Sequence, residues 1–248
     1  MTPTPAFGEL SAAATRGDHA AVIRLAGEIL AQRPGDDAAH ELRARALLAL
    51  GRVAEAEANA EAAVRLDPDE VRYRELLAQV RSAAGAHREA ADEYARLARR
   101  DPRQAHWIRA EAAERLAVGE AGGVVEAARR ALRLDAADTE AQVALARGLL
   151  GVGDAGPALA AAERAVALAP HDPGASEALA DARWLAGDAA GALAAYMNLA
   201  REPGRELRAR AVDKARALYR SRAGLAGRLL ASVRPLFAAA LRAGRLRL

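Results

Sequence analysis

Residues 51–69 read GRVAEAEANAEAAVRLDPD: a glycine, an alanine-rich run without a helix breaker, and a proline at Pro68. The same punctuation returns on both sides of it. Glycine recurs at Gly17, Gly51, Gly85, Gly119, Gly153 and Gly187, always 34 residues apart. Seventeen residues after four of these stand Pro34, Pro68, Pro102 and Pro170; Ala136 and Gly204 take the place in the fourth and sixth units, with Pro203 one residue early. A fixed period of this length is the mark of an array whose units stack along one axis, so it overrides the one or two globular domains that 248 residues alone would imply.

Composition narrows the class. Hydrophobic residues make up 52 % of the chain but aromatics only 3 %, so alanine and leucine must carry the packing. Alanine is the best helix former, and no strand-like alternation is visible. The expected class is all-α. There is no cysteine, which excludes disulfides, thiolate metal sites and a cysteine nucleophile. The first residues, MTPTPAFGEL, lack a basic start followed by an apolar run, and no run of about 18 apolar residues occurs, so the expectation is a cytoplasmic chain without a spanning helix.

Each 34-residue unit predicts two helices. In the second, Leu42, Ala46, Leu47 and Leu50 recur at helical spacing behind Asp37; Gly51 ends that helix; a second runs from about Val53 to Leu66. Asp67-Pro68-Asp69 stops it and starts the next pair, and Asp172-Pro173 places a proline at a first helical position. Small residues are locked to the same phase. Seven before each glycine stand Leu10, Ala44, Ala78, Ala112, Ala146 and Ala180, and five after it Val22, Ala56, Ala90, Val124, Ala158 and Ala192. Methyl-sized side chains let helices cross at the short end of the usual separation. Gly148, Gly151, Gly153 and Gly156 crowd the fifth unit, which reads as a flexible joint.

A 34-residue helix–turn–helix with a small residue in each helix and a closing proline resembles the tetratricopeptide repeat. The resemblance covers about residues 3 to 204, in units 3–36, 37–70, 71–104, 105–138, 139–172 and 173–204. It departs from the family pattern at the first-helix position that favours tryptophan, where Ala6, His40, Arg74, Ile108, Gln142 and Ser176 stand. The resemblance implies a right-handed α-solenoid of antiparallel helix pairs, whose first helices line a concave groove that holds a peptide or helix of a protein partner. Carried over by register, the groove positions are Glu41, Arg45, Arg72, Glu75, Gln79, His106, Arg109, Glu140, Arg147, Glu177, Asp181 and Trp184. The family's clamp for a C-terminal carboxylate is not matched: its paired lysine and asparagine positions read Phe7/Ser11, Glu41/Arg45, Glu75/Gln79 and Arg109/Ala113. Trp184 is open to two readings, apolar groove anchor or core residue, and Trp107 is expected to pack where the third and fourth units meet.

The net charge of +3 hides a segregation. Residues 201–248 hold twelve arginines and Lys214 against Glu202, Glu206 and Asp213, which leaves 23 basic and 30 acidic side chains before them. The reading for 205–248 is a degenerate seventh repeat, helices 206–220 and 223–233, and a basic amphipathic capping helix from Pro235. Its cations include Arg208, Lys214, Arg222, Arg228, Arg234 and Arg242, with Leu225, Leu229, Val233, Phe237 and Leu241 as an apolar stripe. Such a segment can cap a solenoid, rest on an anionic membrane, touch nucleic acid, or pack against the acidic early units of its own or a second copy.

No catalytic or cofactor motif accompanies this architecture. His19, His40, His87, His106 and His171 form no pair at helical metal-ligand spacing, and GLLGVGDAG (148–156) follows a helix and lacks a phosphate-loop lysine. The sequence thus predicts a non-catalytic scaffold or adaptor without metal or cofactor. The alternative is a peripheral membrane- or nucleic-acid-associated factor that acts through its basic end.

Overall fold

The computed structural model describes the backbone of residues 5–200 and 205–222 and the side chains of 7–200 and 208–218. Among the described residues there are thirteen α-helices and no strand. In order they are α1 (Pro5–Thr15), α2 (His19–Gln32), α3 (Asp37–Ala49), α4 (Val53–Leu66), α5 (Val71–Ala83), α6 (His87–Arg100), α7 (Ala105–Ala117), α8 (Ala121–Leu134), α9 (Thr139–Val152), α10 (Ala155–Leu168), α11 (Pro173–Leu185), α12 (Ala189–Leu199) and α13 (Arg205–Arg222). The chain is all-α, as its periodicity and alanine content predict.

The turns follow from local chemistry. All six phased glycines have positive φ, from +71° to +87°, a region that costs any residue with a Cβ. Aspartates do the capping. Asp18, Asp36, Asp138, Asp172 and Asp188 each accept a backbone N–H from the first turn of α2, α3, α9, α11 and α12. Two details differ from the sequence expectation. Asp37 is the first residue of α3 rather than the residue ahead of it, because Asp36 takes the cap. Asp67 does not start α5; its carboxylate accepts from the Asp69 N–H at 3.1 Å in an Asx-type turn, repeated at Asp101 and Asp135, and Glu70 stands at the cap.

Two compact units divide at Val118 and Gly119. In the first, each helix from α1 to α7 packs on its successor, and α3 also meets α5. In the second, α8 to α13 do the same, and α9 also meets α11. The 105–138 stretch is therefore shared, α7 belonging to one unit and α8 to the other. The twelve phased small or branched positions, from Leu10 to Ala192, are all at most 2 % exposed.

Two glycines of the fifth hairpin serve packing. A Cβ on Gly148 would stand 2.9 Å from Val125 Cγ2, and one on Gly151 would stand 2.6 Å from Ala121 Cβ. At these two glycines α9 lies directly on α8, and a side chain there would have to displace Val125 or Ala121.

The departures from the family's tryptophan position resolve into a second pattern. His40 lies 3.1 Å from the Pro34 carbonyl, Arg74 donates to that of Pro68 at 3.1 Å, and Gln142 to that of Ala136 at 3.5 Å. Each reaches the loop carbonyl six residues back. His40 and Arg74 also bridge to the paired helix nineteen residues on, at Asn59 (3.1 Å) and Glu93 (2.8 Å). Polar bridges hold together hairpins that the family pattern would close with an aromatic ring.

Candidate functional site

In the first unit the register-derived positions form a band across the first helices of successive hairpins. Glu41 is buried, and Arg45 one turn on donates to it at 2.5 Å. Arg72 on α5 feels the Glu41 charge, lies 5.0 Å from the centre of the Tyr73 ring and donates to its hydroxyl at 3.2 Å. Burial, then the nearby Asp37 carboxylate, pushes the Tyr73 hydroxyl up to about 12, so it stays a neutral donor. Glu75 faces His106 of α7 across 3.7 Å, and the His106 ring lies 4.9 Å from Trp107, which is buried. Gln79 is exposed and Arg109 half-buried on the same helices.

Next to that band lies a charged core. Glu93, 2 % exposed, accepts from Arg74 at 2.8 Å, Arg81 at 3.0 Å and Arg96 at 2.5 Å. Arg81 reaches on to Glu61 at 3.2 Å and Glu57 at 3.5 Å. A carboxylate this deep is tolerable only because several guanidiniums surround it. The sequence carried a signal for it: the 19-residue step that pairs His40 with Asn59 also pairs Arg74 with Glu93.

In the second unit, Glu177 and Asp181 of α11 are engaged by cations of the same chain. Arg147 of α9 stands 3.7 Å from Glu177. From α13, Lys214 donates to Glu177 at 3.0 Å and to Asp181 at 2.8 Å, while Arg210 reaches Glu177 at 3.5 Å. The Tyr196 hydroxyl donates to Asp181; burial and that hydrogen bond push its pKa up, so it too remains a neutral donor. The acidic end of the register-derived face is thus neutralised by the first part of the basic segment. Lys214 belongs to this internal cluster, Arg210 beside it contributes at longer range, and Arg208 is exposed on α13. The Arg222 side chain, Arg228, Arg234, Arg242, the 223–233 helix, the apolar stripe and the capping helix lie outside the described residues.

Trp184 stands one turn beyond Asp181 on α11 and is 38 % exposed, which answers the two readings in favour of a surface position. Glu140 on α9 is also exposed. Among the described residues no group of three histidine or acidic side chains is arranged to hold a metal, and no helix is long and apolar enough to cross a membrane.

A family model described as tetratricopeptide repeat matches residues 13–80. Solved structures share the architecture. A tetratricopeptide repeat protein from Parabacteroides merdae superposes with a TM-score of 0.68 at 14 % identity, over 90 % of this chain and 93 % of that one. TTC0263, a thermophilic protein of the same kind from Thermus thermophilus, gives 0.53 at 22 % identity, over 71 % and 97 %. YrrB, described as having an unusual peptide-binding site, gives 0.59 at 16 % identity, over 75 % and 96 %. At these identities the likeness is one of fold. No curated protein matches the chain in sequence.

Proposed function

We propose that the chain is built of tetratricopeptide repeats along its length, as the match over residues 13–80 and the shared fold support, and that it is a non-catalytic protein-interaction scaffold of the cytoplasm, holding a peptide or helix of a partner against the first helices of its hairpins. The observation that carries this reading is the state of α11: Trp184 is partly exposed beside two carboxylates that Lys214 and Arg147 already neutralise. An exposed indole on a face whose neighbouring charges are balanced suits an apolar anchor from a partner. Arg45 and Arg72, with side chains about half exposed, supply cations in the first unit that suit acidic groups on such a partner. The peptide-binding site ascribed to YrrB lends the same reading support by analogy of fold.

Affinity capture with the wild-type chain, with Trp184→Ala, and with Arg72, Arg109 and Arg147 changed to Glu tests it. A partner held by the wild type and lost by both variants supports the reading. A partner retained by both variants removes these helices from the binding surface.

A further inference from the structure

Five positions 34 residues apart, His40, Arg74, Ile108, Gln142 and Ser176, occupy the same place in their hairpins. The first two and Gln142 extend to a loop carbonyl, and Ile108 is fully buried. Ser176 is too short to do either. Beside it lies a cavity of about 330 Å³ among α10, α11 and α12, within the range of small-molecule sites, roughly 300–1,000 Å³. Val166, Leu179 and Leu199 give it apolar walls, and His171, Ser176 and Arg183 give it polar ones. None of its lining residues is acidic.

The ionic surroundings decide what could enter. Some arginines of this unit meet carboxylates: Arg147 and Arg210 stand against Glu177, and Arg216 against Asp213, whereas Arg129, Arg133 and Arg164 meet none among the described residues and are exposed to solvent. Arg183, half-buried in the cavity wall, has no carboxylate partner among the described residues. The capping acids at the starts of α11 and α12 are engaged with backbone: Asp172 accepts from the N–H groups of Gly174 and Ala175, and Asp188 from that of Gly191. The cavity therefore offers a half-open chamber of ring size, with apolar and polar walls in similar measure and a guanidinium without a carboxylate partner among the described residues at its edge. It also lies on a different side of α11 from Trp184: positions 176, 179 and 183 share one stripe, and 177, 181 and 184 another, about 100° round the helix.

We propose that this cavity is a binding site for a small aryl carboxylate, the ring lying against Val166, Leu179 and Leu199 and the carboxylate paired with Arg183. A guanidinium is suited to a planar carboxylate because two N–H groups can donate to it in parallel. The site does not rest on the scaffold reading and can be tested apart from it.

The test uses the full isotope-labelled chain titrated with indole-3-acetate and, as the uncharged isostere, indole-3-acetamide, followed by amide chemical shifts. The expected result is saturable change at residues 166–199 with a Kd for the acid of about 0.1–1 mM, in keeping with a ligand of this size. Arg183→Gln should weaken the acid by about tenfold and leave the amide unchanged. Ser176→Trp should fill the chamber and abolish both, and Ser176→Leu serves the same purpose if the tryptophan variant does not fold by circular dichroism. The proposal is overturned if neither compound causes saturable change in the wild type. It is equally overturned if acid and amide bind alike and ignore Arg183→Gln, or if a folded Ser176 variant binds as the wild type does.

Discussion

The ammonium of Lys214 on α13 stands 2.8 Å from a carboxylate oxygen of Asp181 on α11 and also donates to Glu177, a contact that spans 37 residues of chain. It clips the last described helix onto the preceding hairpin. Removing Lys214 leaves Glu177, which is buried, with only the longer contacts from Arg147 and Arg210, and Asp181 with the hydrogen bond from the Tyr196 hydroxyl. Lys214→Met should destabilise the second unit by about 1–3 kcal/mol, below the value for a fully buried pair because the lysine is partly exposed. Urea unfolding followed by hydrogen exchange in α13 measures it; wild-type protection of that helix in the variant would contradict the clip.

Glu93 makes a sharper contrast. Glu93→Gln removes the charge on which Arg74 and Arg81 converge in a buried setting and should cost about 2–4 kcal/mol. Arg96→Ala removes a contact to the same carboxylate from a side chain that is half exposed, and should cost under about 1 kcal/mol. Equal losses in chemical denaturation would show that depth does not govern this network.

Ala90 is fully buried at a phased small position of α6. Ala90→Leu should overpack that helix crossing by about 1–3 kcal/mol. An unchanged melting temperature would mean that the helices there have room to spare.

Two glycines of the same stretch should respond in opposite ways. Gly151→Ala sets a methyl 2.6 Å from Ala121 Cβ and should destabilise by about 1–3 kcal/mol as α9 is pushed off α8. Gly156→Ala meets nothing within 4 Å in the first turn of α10 and should stabilise by about 0.5 kcal/mol through helix propensity. Thermal melts of the two variants distinguish close packing from flexibility as the reason for glycine here.

Alkaline titration tests the buried hydroxyl of Tyr73. Its folded pKa is raised to about 12, whereas an exposed tyrosine ionises near 10. The neutral hydroxyl is favoured by folding, so its contribution is whole below about pH 10 and is lost as pH rises toward about 12, on the order of 2 kcal/mol. Tyr73→Phe should flatten that part of the stability profile; an equal alkaline loss in both proteins would assign it to other groups.

What could be read from residue order alone was whatever depends on neighbours in the chain. Positive φ at Gly51, the proline at the start of α11, the aspartate caps and the methyl-sized contacts at Ala56 and Ala90 are local requirements, repeated often enough to give helix type and hairpin phase. Even there, a one-residue choice such as Asp36 over Asp37 as cap lay below the resolution of the pattern, because both can accept the same N–H groups.

The site was legible only in outline. Register assigned Glu177 and Asp181 to a binding face and Lys214 to a basic tail, yet these groups neutralise one another, since α13 returns to α11 and charge pairing depends on distance in space rather than in sequence. The glycines at 148 and 151 looked alike to those at turns until α8 was seen against them. The chamber beside Ser176 likewise exists because three helices meet around a side chain too short to fill the space. The amino-acid order determined the helices and their repeat; only their packing decided which charges were already satisfied and where room was left.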